Sequence, residues 1–368
     1  MIAPKPTLRQ IERIAHPIPA REGKVTLERN ERTVDFPPAV MEDLRALVTG
    51  FVLRAYPEMD GFYEALAQWS GFSISELLAT DGADGGLHRV FATYVSPSDE
   101  VVILSPSYAM YPLYCQMYGA TPRVLRFNEQ LQLPFEQVLE AASPGTRLIA
   151  LVNPNQPIEC CYSVAQLRQL AKRCADHEIL LLVDEAYYHF CDITAAPLIR
   201  EYDHVIIART FSKAFGLAGL RIGYLMAAPS TIKALRALKP IYEISHLNAA
   251  IATYFLKRPH LMEDYVSAVR AGRDVMTAFC ARAGWSAHGR HSNTILVGLP
   301  SGTVAARITA ELFTMGWLVR AETQGATPNH LRITLGPPEQ MRQLCSLLEP
   351  YGRGGRIDAG SAAVGRSR

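Results

Sequence analysis

Lys213 lies in the run RTFSKAFGLAGLRIGY, Arg209 to Tyr224, just after a β-rich apolar stretch and among small and apolar neighbours. Desolvation favours the neutral amine, so a lysine in such surroundings has a lowered pKa and is available as a nucleophile. The same run supplies Ser212, Arg221 and three glycines, which let a tight loop approach an anionic group closely. A second cluster, Asp184-Glu185-Ala186-Tyr187, follows the apolar run ILLLV and leaves a carboxylate at the mouth of a buried strand. A carboxylate buried there without a partner costs several kcal/mol, so it calls for a cationic or proton-donating group such as a protonated pyridine nitrogen. In a third cluster, TDGADGGLHRVF, residues Gly82, Ala83 and Asp84 lead into a helix. The first free N–H groups of that helix form an anion site that suits a phosphate.

These clusters must be held by a scaffold. From about Leu77 to Met226 short apolar runs alternate with longer amphipathic stretches, the pattern of βα units in a mainly parallel sheet. EVVILSP, TPRVLRF, TRLIALVNP, EILLLVDEA, DHVIIARTFS and IGYLMA read as strands, several continuously apolar as strands covered on both faces are. SVAQLRQLAKRCADH reads as a helix opened by a capping box, with Ser163 at the cap and Gln166 three residues on. Beyond about Ser230 long helical stretches give way to strand-like pieces NTILVGL, GWLVRAE and HLRITLG, the first two separated by the helical TVAARITAELFTMG, a smaller α+β domain. The clusters fall at strand ends, where the loops of an open α/β sheet gather ligand-binding groups.

Bulk properties exclude several classes of function. The chain has 368 residues, 49% of them hydrophobic, and a net charge of +2, which fits a two-domain globular protein and gives no electrostatic case for nucleic acid. Seven cysteines, Cys115, Cys160, Cys161, Cys174, Cys191, Cys280 and Cys345, show no metal-ligand or redox spacing, so no metal site is expected and reduced thiols in a cytoplasm are. No apolar run reaches membrane-spanning length, and the N-terminus lacks the pattern of a secretory signal.

Taken together, LERNE, the YPE at Tyr56, DGADGG, SPSYAMY, NPNQP, DEAYYHF, RTFSKAFGLAGLRIGY and LRITLG resemble the fold-type I, pyridoxal-phosphate-dependent aminotransferases, most closely the histidinol-phosphate aminotransferase branch. Single motifs of this kind are weak, but eight in the family's order are specific. The resemblance implies an α/β fold with a large cofactor-binding domain around a mainly parallel sheet of seven-stranded type, plus the smaller α+β domain. The layout it implies is an N-terminal arm over 1–34 joining the small domain, the large domain over 35–245, a linking helix and small domain over 246–352, and a disordered tail over 353–368.

The resemblance also implies roles. Lys213 would hold the cofactor covalently and, once displaced by the substrate amine, shuttle a proton. Asp184 would keep the pyridine nitrogen protonated, and Tyr187 would hydrogen-bond the phenolic oxygen. Tyr108 would stack on the ring, while Ala83, Asp84, Ser212 and Arg221 would bind the phosphate together with Tyr56 of a second subunit, so a homodimer is expected. Arg332 would take a substrate anion by a bidentate contact, with Asn30 and Tyr56 also on the substrate side. The expected reaction is amino transfer between a small amine or amino acid and a 2-oxo acid. Decarboxylation or cyclisation of an amino acid on the same scaffold is the alternative within enzymology, and a catalytically silent binding subunit the alternative outside it.

The chain departs from the family at several points. Where the family has NPNNPTG, this chain has Asn153-Pro154-Asn155-Gln156-Pro157-Ile158-Glu159, so Gln156 replaces the asparagine that contacts the phenolic oxygen and the Thr-Gly turn is lost. The Asn-Glu-Asn-Pro pattern appears as Asn30-Glu31-Arg32-Thr33, on the loop that helps close over the substrate, and the acid expected after GAD is Gly85. Such changes point to a substrate other than the family's standard one. Lys172 and Lys233 read as solvated surface, and His88, His189 and His246 as structural or surface residues. Cys160 and Cys161 read as two small buried residues, because adjacent cysteines are sterically poor disulfide partners.

Overall fold

The computed structural model describes residues 2–9, 11, 21–299, 302–322 and 326–352. The Gly-, Ser- and Arg-rich segment 353–368, expected to be a disordered tail, lies outside the described residues. In chain order the strands are β1 (Val25–Thr26), β2 (Leu77–Thr80), β3 (Glu100–Ser105), β4 (Thr121–Arg126), β5 (Thr146–Val152), β6 (Leu180–Asp184) and β7 (Val205–Thr210). They continue with β8 (Gly223–Ala227), β9 (Ser286–His288), β10 (Thr294–Gly298), β11 (Trp317–Leu318), β12 (Arg320–Glu322) and β13 (His330–Thr334).

Seven strands form one sheet in the order β2-β8-β7-β6-β5-β3-β4. All the neighbouring pairs are parallel except those of β8, which runs antiparallel to both β2 and β7. The apolar runs explain this sheet. Leu78, Val101, Ile103, Leu148, Leu182, Ile206 and Leu225 are buried on one face, while Ala79, Val102, Leu104, Ile149, Leu181, Ile207 and Met226 are buried on the other. Strands covered on both sides lose water from every residue, and each fully buried Val, Leu or Ile contributes roughly 1.5–3 kcal/mol. The six strand-like runs expected between 99 and 227 are all present, and β2 joins them at an edge.

The capping box also forms. Ser163 Oγ accepts the Gln166 N–H at 3.3 Å while Gln166 Oε1 accepts the Ser163 N–H at 2.9 Å, opening the helix Val164–Asp176. Such a cap contributes about 1 kcal/mol.

The second sheet is antiparallel, in the order β12-β13-β10-β9. Its run GWLVRAE is divided: Trp317–Leu318 pairs in parallel with β1, and Arg320–Glu322 pairs with β13. The segment between β1 and the first long helices is tied here too, since Asn30 N–H donates to Thr334 Oγ1 at 2.9 Å and Asn293 Nδ2 to the Asn30 carbonyl at 3.1 Å. Among the described residues no helix is long and apolar enough to cross a membrane.

The carboxyl ends of β2, β3, β5, β6 and β7 share one edge of the large sheet, and β8 starts there. A buried ion pair braces that edge. Glu185, just beyond β6, accepts from Arg209 Nε at 3.0 Å and Nη2 at 2.9 Å, and its other oxygen accepts from the Ala195 N–H at 2.6 Å. The two side chains are 0% and 5% exposed, and the guanidinium lies 3.7 Å over the Tyr188 ring. Removing one member of such a pair strands the other charge without water. Glu185→Ala is therefore expected to destabilise the fold by roughly 3–5 kcal/mol, measured as a lower urea midpoint of the cofactor-free protein; an unchanged midpoint would show that the pair does not brace the edge.

Candidate active site

The loops leaving that edge enclose a cavity of about 490 Å³. Ala83 and Asp84 reach it from the β2 end, Ser107 and Tyr108 from β3, Gln156 from β5, and Asp184 and Tyr187 from β6. Ser212 and Lys213 come from the β7 end, and Arg221 from the turn into β8. The second sheet and the N-terminal segment close the far end with Arg320, Glu322, Arg332, Glu28, Arg29 and Asn30. The expected site residues are thus brought together, with the exception of Tyr56.

Asp184 and Lys213 define the reactive centre. Asp184 is 4% exposed, and its carboxylate accepts the Ala186 N–H at Oδ1 and the Tyr111 hydroxyl at Oδ2, both at 3.1 Å. Burial raises its pKa to about 6, although these two neutral donors and the Lys213 charge act against the rise. Lys213 shifts the other way. Burial lowers its pKa to about 8, reinforced by Arg332 and Arg221 and opposed by Glu31 and Asp184. Among the described residues its amine makes one long hydrogen bond, 3.5 Å to the Arg29 carbonyl.

An anion cradle lies beside this pair. The helix Gly82–Tyr94 aims its first N–H groups into the cavity, opposite Ser212 and Arg221, whose Nη1 lies 3.4 Å from Ser212 Oγ. Gly82 has φ +82°, and a Cβ there would meet Arg221 Nη2 at 2.8 Å. Gly223 permits the close approach of β8, since a Cβ on it would lie 2.4 Å from the Ala83 nitrogen. Arg221 itself has φ +52°, an uncommon conformation outside glycine that turns its guanidinium toward the cradle.

Other expected residues take more specific positions. Tyr108 lines the cavity and donates to Asp84 Oδ1 at 3.1 Å. Tyr187 lines it too, and its hydroxyl accepts from Asn30 Nδ2 at 2.7 Å, so Asn30 acts behind Tyr187. Gln156 lines the cavity, but its amide is engaged elsewhere: Nε2 donates to Ser292 Oγ at 2.8 Å and Oε1 accepts from Thr294 Oγ1 at 2.7 Å. The extra methylene lets it reach the second sheet. Arg332 donates to the Glu28 carbonyl at 3.2 Å.

Tyr56 is 75% exposed, stacks on Tyr242 at 4.4 Å, and does not line the cavity of its own chain. Cys160 and Cys161 are only partly buried, and Cys161 Sγ lies 3.4 Å from Cys191 Sγ. Their expected burial is incomplete because both stand in the loop after β5 rather than in the core.

Sequence reasoning missed Tyr111, which supports Asp184, and the pair Arg320 and Glu322. Tyr111 follows Tyr108 by one helical turn, a spacing that could have marked it. Arg320 and Glu322 alternate along a strand and so share a face, but only pairing with β13 puts them at the cavity.

This arrangement fits pyridoxal phosphate. The cradle matches a phosphate, the Lys213 amine an aldehyde, the buried Asp184 carboxylate a protonated ring nitrogen, and the Tyr187 hydroxyl a phenolic oxygen. A buried carboxylate served here only by neutral hydrogen-bond donors is the strongest part of that match.

Comparison with known proteins agrees. The family model described as aminotransferase class I and II matches residues 22–348. A histidinol-phosphate aminotransferase of Methanosarcina mazei is 32% identical over 349 residues, 93% of this chain and 92% of that protein. Another, from Citrifermentans bemidjiense, is 30% identical over 335 residues, covering 90% and 93%. Among solved structures, the histidinol-phosphate aminotransferase of Sinorhizobium meliloti in complex with pyridoxal-5'-phosphate has a TM-score of 0.79 at 24% identity, covering 88% of this chain and 89% of that one. Aspartate aminotransferase from Thermus thermophilus with maleate has a TM-score of 0.73 at 22% identity, covering 88% and 91%. At those identities the structural likeness establishes the fold.

The raised pKa of Asp184 has a signature in the cofactor-free protein. Between its ordinary 3.8 and about 6 the folded chain binds the proton more tightly than the unfolded chain. The group therefore contributes stability that is complete below about pH 4 and lost as pH rises through about 6, on the order of 3 kcal/mol in all. Subtracting the stability of Asp184→Asn from that of the wild type, by urea titration across pH 4–7, should give a curve that falls over this window. A flat difference would mean that Asp184 is not buried as described.

Proposed function

The chain belongs to the class I and II aminotransferases, with pyridoxal 5'-phosphate as cofactor, and from that premise we propose that Lys213 and Asp184 carry amino transfer between a small amine or amino acid and a 2-oxo acid. The observation that supports this reading is their convergence on one cavity with oppositely shifted pKa values. When bound, the cofactor supplies an electron-accepting ring that stores the electron pair left as the substrate carbon loses its proton.

The chain's own residues do the rest. Asp184, held by Tyr111 and the Ala186 N–H, would keep a proton on the cofactor's ring nitrogen. Lys213 Nζ is the group that would hold the cofactor, and its amine, when free, would accept and return a proton at the substrate carbon. A pKa of about 8 in the free protein gives it access to both protonation states near neutrality. Ser212, Arg221 and the N–H groups at Ala83 and Asp84 would hold the phosphate, and Tyr108 would pack beside the ring. Tyr187, oriented by Asn30, would donate to the phenolic oxygen in place of the engaged Gln156 amide. Arg332 receives the substrate anion.

We read the chain as an arm over 1–34 that joins a small domain over 246–352, packed on a large domain over 35–245, and working in the cytoplasm. The N-terminal hydrogen bonds to Thr334 and Asn293 support this division. The exposure of Tyr56 supports a homodimer in which its hydroxyl completes the phosphate site of the other subunit. The curated relatives are named for histidinol phosphate, which makes it one donor to test.

Incubating the holoenzyme with candidate amines and 2-oxoglutarate should yield glutamate; carbon dioxide without glutamate would replace amino transfer with decarboxylation. Lys213→Ala should lose at least about a thousandfold in turnover with an unchanged far-ultraviolet circular dichroism spectrum, and full activity in that variant would remove the mechanism. Tyr56→Phe should weaken cofactor retention about tenfold, as loss of one charge-assisted hydrogen bond does, measured by equilibrium dialysis. Sedimentation as a monomer with unaltered retention would remove the shared site.

A further inference from the structure

We propose that Glu322 sets the substrate class of this site: by bridging Arg320 and Arg332 it leaves the anion pocket one net positive charge and selects a monocarboxylate over a phosphate monoester. The inference rests on the amino-transfer reading above and adds to it what is transferred.

The register of the second sheet brings the three side chains together. Arg320 lies directly opposite Arg332 across the β12–β13 ladder, and Glu322 follows Arg320 by two residues, so all three share one face. All three line the cavity. Two guanidinium groups directly opposed repel one another, and a carboxylate on the diagonal relieves that repulsion. Glu322 Oε1 is 3.2 Å from Arg320 Nε and 3.6 Å from Arg332 Nη1. Arg332 and Glu322 have side chains only 16% exposed, so water screens that pair weakly, whereas Arg320, with a side chain 48% exposed, is screened more.

The three are coupled by charge rather than by hydrogen bonds, for Glu322 Oε1 and Arg332 Nε are both buried without a hydrogen-bond partner, and Arg332 is therefore not saturated by this contact. The neighbouring charges change the sum little: Glu28 pairs with Arg21 at 2.7 Å, and Arg29 is 3.7 Å from Glu28 and partly in solvent. Two guanidinium groups and one carboxylate leave a single positive charge, which one carboxylate neutralises. A phosphate monoester carries about −1.5 to −2 at neutral pH, and would put an excess negative charge beside Glu322 in a poorly screened corner.

The test compares two donors on the holoenzyme, L-leucine as the monocarboxylate and histidinol phosphate as the phosphate monoester, with 2-oxoglutarate as acceptor. The wild type should favour the amino acid in kcat/KM. Glu322→Gln should move the ratio of the two toward the phosphate ester by at least about tenfold. Glu322→Ala should move it the same way, and covers the case in which glutamine keeps both contacts. Calorimetric titration of the holoenzymes with acetate and with methyl phosphate should show the same shift in binding alone. A wild type that prefers histidinol phosphate, or a ratio unchanged in both variants, overturns the inference while leaving amino transfer intact. Failure of every amine tried to yield glutamate overturns the amino-transfer reading, and this inference with it.

Discussion

A half-buried amine and a buried carboxylate face the same cavity, and that confrontation constrains the rest of the structure. Burial pushes the two groups toward neutrality from opposite sides, lowering Lys213 and raising Asp184. Each charge moderates the other without cancelling the shift. Such a pair keeps its geometry only on rigid supports, because a displaced carboxylate or amine would be more fully hydrated and move back toward its ordinary value. The parallel strands β6 and β7 provide those supports, and the buried Glu185–Arg209 pair ties the two strand ends together one residue away from Asp184. The ion pair is thus a positioning device for the site as well as a contribution to the fold.

Much of this was legible in the sequence because it is encoded locally. Strands buried on both faces announce themselves as continuous apolar runs, and residues at their carboxyl ends are placed by the strand that precedes them. Asp184, Ser212, Lys213 and the Gly82–Asp84 turn all belong to that category. What the sequence did not disclose depends on pairing between distant segments. The run GWLVRAE reads as a single strand, yet its first part joins β1 and its last part joins β13. The proximity of Arg320, Glu322 and Arg332 exists only through that register. Tyr111 was hidden differently: its spacing from Tyr108 in SPSYAMY marks it as a neighbour of the site, but only the fold brings its hydroxyl to the Asp184 carboxylate.

The departures from the family pattern have physical counterparts. Gln156 and Glu159, which stand where the family has Asn and Gly, both bridge the loop after β5 to the segment 290–294 leading into β10. Gln156 does so through Ser292 and Thr294, and Glu159 through the Arg290 and His291 N–H groups at 2.7 Å each. The altered turn is therefore an inter-sheet clasp. Gly85 has an equally direct account: a Cβ at that position would lie 1.7 Å from Asp81 Oδ1, so the space of a side chain there is filled by the Asp81 carboxylate.

These observations divide the site into two ends under different constraints. The phosphate and ring end is built from loops of one sheet, where each residue is fixed by its own strand and any displacement disturbs the Lys213–Asp184 pair. The substrate end is built where the second sheet, the N-terminal segment and the loop after β5 meet, and its side chains are held by contacts such as Glu322 with Arg332 and Gln156 with Thr294. Exchanging one partner there changes the charge or shape of the pocket without moving the cofactor machinery. Specificity can consequently diverge on this scaffold through single residues of the second sheet, while the chemistry stays with the first.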